Sequence, residues 1–226
     1  MDALNKGELK ILMPEPQKPI IKLTVEKNDH VRYSMKGSEP VGCKCGECPI
    51  NLFEYSEHQC TFCARALPAV EELFKANPGK VCAVSRFFPL SFHDRARPAA
   101  KAVICASHQN KDKSWEMHYK LFENQRNLTD ADFEKYAKEL ALDVNKFKAC
   151  LASKEPEKEI DDHLASGMKY GVNGTPAFFV GTPSADGKTV SAYRLSGAVP
   201  YSEFKKAIDS SQAAVRAEKE SKKKNG

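Results

Sequence analysis

The hydrophobic residues of the chain follow two periods, and each period predicts one type of element. Alternating or β-branched runs are typical of strands, whereas apolar residues that recur every three or four positions are typical of amphipathic helices. Strands are predicted at 20–25, 30–35, 50–55, 80–88, 177–181 and 190–195. Helices are predicted at 60–76, 97–108, 114–124, 129–140, 145–153, 157–170 and 201–216.

The order of these elements places a helical block between two groups of strands. The block covers about 95–168, with strand, helix and strand before it and strand, strand and helix after it. A turn at Asp186-Gly187 predicts that the last two strands form an antiparallel hairpin. The strands at 20–25 and 30–35 are predicted to pair as a short N-terminal β-hairpin. We therefore predict an α/β fold with an arm and hairpin at 1–40, a main domain with an all-helical insertion at 41–212, and a tail at 213–226.

Composition and charge are those of an ordinary soluble globular protein. Hydrophobic residues make up 41% of the 226 residues, and charged residues make up 29%. No run of about 20 apolar residues is present, so no membrane span is predicted. Part of the net charge of +5 lies in the basic tail, and no patch of Lys and Arg interleaved with aromatic residues predicts nucleic-acid binding. The tail is expected to be solvated and disordered, with weak contact to an anionic membrane surface as the alternative.

A Cys-x-x-Cys pair lies where a predicted strand is followed by a predicted helix. Backbone N–H groups and the helix dipole stabilise a thiolate at a helix N-terminus, so Cys60 is expected to be a nucleophile with a lowered pKa. Cys63, one turn further along, can attack a mixed disulfide on Cys60 and release the partner. The same spacing also suits half of a zinc site, so the motif alone leaves both interpretations open.

A second feature lies far from the dithiol in sequence. Thr175 and Pro176 immediately precede the apolar strand predicted at 177–181. Because proline normally avoids the start of a buried strand, this position indicates a special backbone geometry. A cis bond here would expose the backbone of Thr175 beside the dithiol, and a trans proline in a loop is the alternative.

Three separated segments, 54–63, 88–93 and 171–181, resemble the DsbA-like thiol-disulfide oxidoreductases in order and spacing. The resemblance covers about 48–210. It implies a thioredoxin fold whose insertion is the predicted helical block, and a cis peptide bond between Thr175 and Pro176. It also implies that Glu54 is buried beneath the dithiol and assists proton transfer at Cys63.

The resemblance further implies exchange with protein thiols and disulfides, a redox partner that recycles the dithiol, and no organic cofactor. Substrates are expected to contact Thr175, Pro176, Thr61, Phe62 and His58. His58 is also close enough to Cys60 to favour its thiolate when protonated, with an exposed loop residue as the alternative. The Thr-Phe dipeptide lacks the histidine that the family's strongly oxidising prototype carries, and that prototype's thiolate pKa of about 3.5 is not expected here. We expect a milder oxidant, and oxidase, isomerase and reductase directions stay open.

The family works in the bacterial periplasm or cell envelope, and that is the expected location. Residues 1–6 lack the apolar core of a secretory signal. The expectation is therefore that an export signal has been removed, with a cytoplasmic location as the alternative.

The remaining cysteines leave several interpretations open. Cys43, Cys45 and Cys48 could hold a metal with one further ligand, could supply a second redox pair at Cys45 and Cys48, or could form a structural disulfide with one thiol left over. The first interpretation supports an alternative function as a metal-binding or metal-delivery module. Cys82, among apolar neighbours, is expected to be a small core residue. In the helical block, Cys105 and Cys150 form either a structural disulfide or two buried thiols.

Overall fold

The computed structural model describes residues 21–25, 29–32, 43, 45–184 and 189–224. Within these residues, six strands form one sheet and seven helices are present. The strands are β1 (Ile21–Leu23), β2 (His30–Arg32), β3 (Ile50–Ser56), β4 (Val81–Phe87), β5 (Ala177–Pro183) and β6 (Val190–Ser196). The helices are α1 (Thr61–Ala76), α2 (Ala96–Gln109), α3 (Lys111–Glu123), α4 (Asp130–Glu139), α5 (Val144–Ala152), α6 (Glu155–Lys169) and α7 (Tyr201–Lys224).

Strand β3 lies inside the sheet, whose order is β1-β6-β5-β3-β4-β2. It pairs in parallel with β4 and antiparallel with β5, and β5 pairs antiparallel with β6 as the predicted hairpin. Every residue of β3 is buried, including the polar Asn51, Glu54 and Ser56, because the strand is paired on both sides and both faces of the sheet are covered. The chain therefore leaves the carboxyl end of a rigid inner strand and enters α1, which begins at Thr61.

The two N-terminal strands are present, but the predicted hairpin between them is wrong. Strand β1 pairs with β6 and strand β2 pairs with β4, at opposite edges of the sheet. An alternating pattern predicts a strand and does not identify its partner. Each of these short strands covers an edge that would otherwise present unpaired backbone groups.

Helices cover both faces of the sheet, and the insertion has a core of its own. Helices α1 and α7 pack on the face that carries Leu52 and Phe178, whereas Phe53 and Phe179 belong to the core of the opposite face. Helices α2 to α6 form the predicted helical insertion. Its core includes Val103, Met117, Leu121, Phe133, Phe147 and Ile160.

The basic tail is helical as far as it is described, so the prediction of a disordered tail is wrong. Helix α7 continues to Lys224, although its last buried residue is Val215. Its exposed end is rich in residues with high helix propensity, and Lys222 lies 3.4 Å from Glu218 one turn before it. Residues 1–20, which include the predicted arm, and the predicted turn at 186–187 lie outside the described residues. In the described ranges, no helix is long and apolar enough to cross a membrane.

Candidate active site

The dithiol lies at the junction of β3 and α1. Cys60 is the N-cap residue of α1, and its carbonyl accepts hydrogen bonds from the backbone N–H groups of Cys63 and Ala64 at 3.1 and 3.3 Å. Cys60 and Cys63 are buried, and neither is disulfide-bonded. The structure therefore shows a reduced dithiol at a helix N-terminus, where the sequence predicts it.

The two thiols have opposite pKa shifts. The pKa of Cys60 is lowered to about 5, chiefly by a hydrogen bond from the Cys63 thiol and further by Thr175 and the backbone N–H groups of Cys63 and Phe62. Burial opposes this shift and is the largest cause of the raised pKa of Cys63. At neutral pH the pair therefore consists of a thiolate at Cys60 and a protonated thiol at Cys63.

The Thr175–Pro176 segment contacts the outer cysteine. Its peptide bond is cis, and the Cys60 thiol donates a hydrogen bond to the Thr175 carbonyl at 3.5 Å. The Thr175 hydroxyl is buried and has no hydrogen-bond partner other than the Cys60 sulfur among the described residues. It is therefore available to the Cys60 sulfur when that sulfur is ionised.

A cavity of about 360 Å³ opens beside Cys60. Two aromatic side chains in its lining are exposed to solvent, Phe62 by 53% and Phe92 by 74%. The Arg65 guanidinium lies 4.5 Å from the centre of the Phe62 ring. Exposed aromatic residues around a reactive group are typical of a surface that binds another molecule. The other lining residues are Gln59, Thr61, Leu90, His93, Asn173, Gly174 and Thr175.

Glu54 is buried in β3, with 3% of its surface exposed. Strand residues two apart point to the same face of a sheet, and Leu52 belongs to the core that packs against α1. Glu54 therefore lies on the face of the sheet that α1 covers. This is the side from which the resemblance implies that it serves Cys63.

His58 is fully buried, so the prediction that it contacts substrate is wrong. Its Nε2 lies 3.2 Å from Nδ1 of His118, and its ring centre lies 4.6 Å from that of Phe122. Both partners are in α3, so the turn before Cys60 packs against the helical insertion. Position in the sequence gave no sign of this, because the contact joins residues 60 positions apart.

The structure identifies a buried carboxylate that the sequence analysis missed. Glu57 is fully buried, and its carboxylate accepts a hydrogen bond from the Gln59 N–H at 2.6 Å. The other carboxylate oxygen contacts Nδ1 of His93, whose side chain lines the cavity beside Cys60. Burial raises the pKa of Glu57. His93 lies in segment 88–93, one of the three segments that resemble the DsbA-like family. That resemblance is the signal that could have placed His93 beside the turn before Cys60.

The other cysteine cluster lies before the amino end of β3. Cys43 is disulfide-bonded to Cys48, and Cys45 is disulfide-bonded to Cys82 in β4. A second redox pair at Cys45 and Cys48 is therefore excluded in this structure. Cys82 is buried in the core as predicted, but it is disulfide-bonded and not a free thiol. Among the described residues, no group of three or more His, Cys, Asp or Glu side chains is arranged to hold a metal ion.

Cys105 in α2 and Cys150 in α5 form a third disulfide, with their Cα atoms 5.7 Å apart. It joins two helices of the insertion and spans 45 positions of the chain. Because both cysteines lie outside the cavity lining, this bond serves the insertion and not the dithiol.

The sequence profile of the family described as Thioredoxin matches residues 46–210. Solved structures with a similar fold include a thioredoxin-like oxidoreductase from Silicibacter pomeroyi, with a TM-score of 0.67 and 24% identity over 84% of this chain and 95% of that chain. Another is α-DsbA1 of Wolbachia pipientis, with a TM-score of 0.65 and 19% identity over 87% of this chain and 96% of that chain. The likeness confirms the predicted thioredoxin fold with an inserted helical subdomain.

Curated relatives with detectable sequence similarity carry the name of an ion transporter. The Na(+)/H(+) antiporter NhaA 3 of Salinispora tropica is 36% identical over 135 residues, which cover 59% of this chain and 20% of that protein. The corresponding NhaA 1 of Mycobacterium sp. (strain KMS) is 31% identical over 73% of this chain and 26% of that protein. The chain thus spans only about a fifth to a quarter of these relatives.

Proposed function

The chain belongs to the thioredoxin family, and on that premise we propose that it exchanges disulfides with protein substrates through Cys60 and Cys63. The observation that carries the proposal is the opposite shift of the two pKa values, with a thiolate at Cys60 and a protonated thiol at Cys63. A thiolate at the edge of a cavity attacks a disulfide, and a protected neighbour one turn away resolves the mixed disulfide.

Each residue near the dithiol has a role in this proposal. Cys60 forms the mixed disulfide and Cys63 resolves it. The backbone of Thr175 and Pro176 positions an extended substrate segment, and Thr61 and Phe62 contact it. Glu54, buried on the α1 side of β3, exchanges a proton with the inner thiol. The reaction needs no organic cofactor, because the dithiol itself carries the electrons.

We propose that the protein donates its disulfide to substrates as a mild oxidant. A stabilised Cys60 thiolate favours the reduced dithiol, which makes the disulfide form oxidising. The lowering to about 5 is smaller than the lowering to about 3.5 in the strongly oxidising prototype. A redox partner then reoxidises the dithiol after each turnover.

The proposed location is the bacterial periplasm or cell envelope. Three disulfides outside the dithiol support it, since structural disulfides persist in oxidising compartments. Substrates are then proteins whose cysteines become paired in that compartment.

The test uses trapping of the mixed disulfide. The variant Cys63→Ala, mixed in its reduced form with a disulfide-containing peptide, should accumulate a covalent adduct at Cys60 that mass spectrometry detects. Cys60→Ala should give no adduct, and the wild-type protein should not accumulate one, because its Cys63 resolves the mixed disulfide. The double variant Cys105→Ala/Cys150→Ala is the control, because it removes a remote disulfide and keeps the dithiol. An adduct on a cysteine other than Cys60 would contradict the proposal.

A further inference from the structure

A buried carboxylate and a partly exposed imidazole form a pair in the wall of the cavity. Glu57 has a fully buried side chain, whereas the His93 side chain is 25% exposed. Glu57 uses one oxygen for the Gln59 N–H and the other for Nδ1 of His93. The Gln59 side chain in turn bonds to Asp94 at 3.1 Å and to the Arg95 N–H at 2.8 Å. The segment at 93–95 is therefore fastened to the turn that leads into Cys60.

This arrangement fixes which nitrogen of the imidazole is basic. A carboxylate that accepts from Nδ1–H holds the ring in the tautomer whose lone pair is on Nε2, and it stabilises the imidazolium that forms when Nε2 takes a proton. His93 and Cys60 line the same cavity. The cavity where a substrate sulfur meets Cys60 therefore has an oriented base in its wall.

The exchange reaction needs such a base. When the dithiol is oxidised, neither Cys60 nor Cys63 can accept a proton, yet an attacking substrate thiol must lose one before it becomes a nucleophile. An ordinary thiol with a pKa of about 8.5 is only a few per cent ionised at pH 7. Among the residues that line this cavity, His93 is the one that carries an imidazole, whose unprotonated ring nitrogen can accept a proton.

We propose that His93 is the general base that deprotonates the attacking substrate thiol, with Glu57 as the residue that positions its ring. This inference rests on the proposed disulfide exchange. The substrate S–H proton moves to His93 Nε2, and the substrate sulfur bonds to Cys60 Sγ. The Cys60–Cys63 bond breaks, and its electron pair leaves on Cys63 Sγ, which takes a proton. A second substrate thiolate then displaces Cys60 as a thiolate, so the substrate loses two electrons and the dithiol gains them.

Several charged groups lie near the pair and enter its pH dependence. Burial is the main cause of the raised pKa of Glu57, and the charge of the Cys60 thiolate raises it slightly further. Asp94 and Arg95 flank His93 on its own segment, and Arg95 is paired with Asp130 of the insertion. When the dithiol is oxidised, the charge on Cys60 is absent and no longer raises the pKa of Glu57, so the carboxylate that orients His93 is favoured in the state that substrate thiols attack.

The experiment measures how fast a dithiol peptide reduces the oxidised protein, with acid quenching and thiol labelling from pH 6 to pH 9.5. General bases contribute about 10²- to 10⁴-fold, and a thiol that is already slightly ionised gains less. His93→Ala should therefore be about tenfold slower at pH 6.5. The deficit should vanish at pH 9.5, where the substrate thiol ionises unaided, and added imidazole should restore much of the rate at pH 6.5. Glu57→Gln should give a smaller deficit with the same pH dependence.

The matched control is His108→Ala, since that side chain is 33% exposed and lies in the helical insertion. It should react at the wild-type rate throughout. Alkylation of Cys60 in the reduced protein does not require a base to deprotonate a substrate thiol. Its rate should therefore be equal in the wild-type protein and in His93→Ala. A deficit in His93→Ala that is the same at every pH, or that imidazole does not relieve, would overturn the role of His93. Absence of exchange in the wild-type protein would instead overturn the proposed function.

Discussion

The two ends of strand β3 carry cysteines in opposite states. Beyond its carboxyl end, Cys60 and Cys63 are reduced and lie at the start of a helix. Before its amino end, Cys48 is bonded to Cys43, and Cys45 is bonded to Cys82 of the neighbouring strand. Both ends carry a Cys-x-x-Cys motif, with Cys45 and Cys48 at the amino end and Cys60 and Cys63 at the carboxyl end. Surroundings, and not spacing, therefore decide which cysteines are reactive.

The physical difference is in what stabilises a thiolate. Cys60 receives hydrogen bonds from backbone N–H groups and from the Cys63 thiol, beside an open cavity. Cys48 and Cys82 are fully buried in the apolar core of one sheet face. An apolar core disfavours a thiolate, and a thiolate is needed to start exchange. The amino-terminal disulfides should therefore stay closed while the dithiol turns over.

The largest expected effect concerns which end carries the activity. Cys60→Ser should lower the rate of peptide oxidation at least about ten-thousandfold, as removal of a catalytic nucleophile does in other enzymes. The double variant Cys43→Ser/Cys48→Ser should retain the rate within about twofold, because it leaves the helix N-terminus and the cavity intact. Stopped-flow kinetics with a dithiol peptide would compare them. A comparable loss in both variants would abolish the distinction between the two ends.

The second prediction is the pH dependence of the reactive end. The pKa of Cys60 is lowered from 9.0 to about 5, so thiolate absorbance at 240 nm in the reduced protein should titrate near pH 5, with no second step from Cys63 below pH 10. Because the folded value lies below the unfolded one, the stabilisation from this thiolate is fully present above about pH 9. It is lost as pH falls toward 5. A single step near pH 8.5 would contradict the stabilised thiolate.

The third prediction ranks the two amino-terminal disulfides by stability. Cys45–Cys82 closes a separation of 37 positions and Cys43–Cys48 one of 5. Loop-closure entropy then gives losses of about 4 and about 2 kcal/mol when each bond is removed by paired alanine substitutions. Urea denaturation of the two double variants measures the difference. Equal losses of unfolding free energy would mean that the link between β4 and the loop before β3 stabilises the protein no more than the short Cys43–Cys48 bond.

Much of this architecture follows from patterns that are local in sequence. The run at 50–55 and the apolar stripe at 60–76 predict β3 and α1, and the N-cap position of Cys60 follows from their junction. Local patterns do not predict which distant segments pair with each other. Nothing local distinguishes Cys82 from a core thiol, and nothing local says that β1 and β2 lie at opposite edges of the sheet.

Contacts of polar residues at the site are also hard to predict when their partners are distant in sequence. Glu57 and His58 are adjacent and polar, a pattern that is typical of an exposed turn. The structure buries them because the insertion and the segment after β4 cover this turn, with His118 on one side and His93 on the other. Thr175 was identified because proline at the start of a strand is a local signal. Glu57 was missed because its partner is 36 positions away.

The smallest effect concerns how the insertion supports the reactive end. The Gln125 side chain donates hydrogen bonds to the carbonyls of His58 and Cys60 at 2.8 and 2.9 Å. Loss of two partly buried hydrogen bonds in Gln125→Ala should lower the unfolding free energy by about 1–2 kcal/mol. The oxidation rate should fall no more than about threefold, because the dithiol, Thr175 and the cavity are retained. Asn145→Ala, at an exposed position of α5, is the control for stability. If Gln125→Ala slowed oxidation a hundredfold at unchanged stability, the insertion would take part in the chemistry, and the reactivity of Cys60 could not be assigned to the strand–helix junction alone.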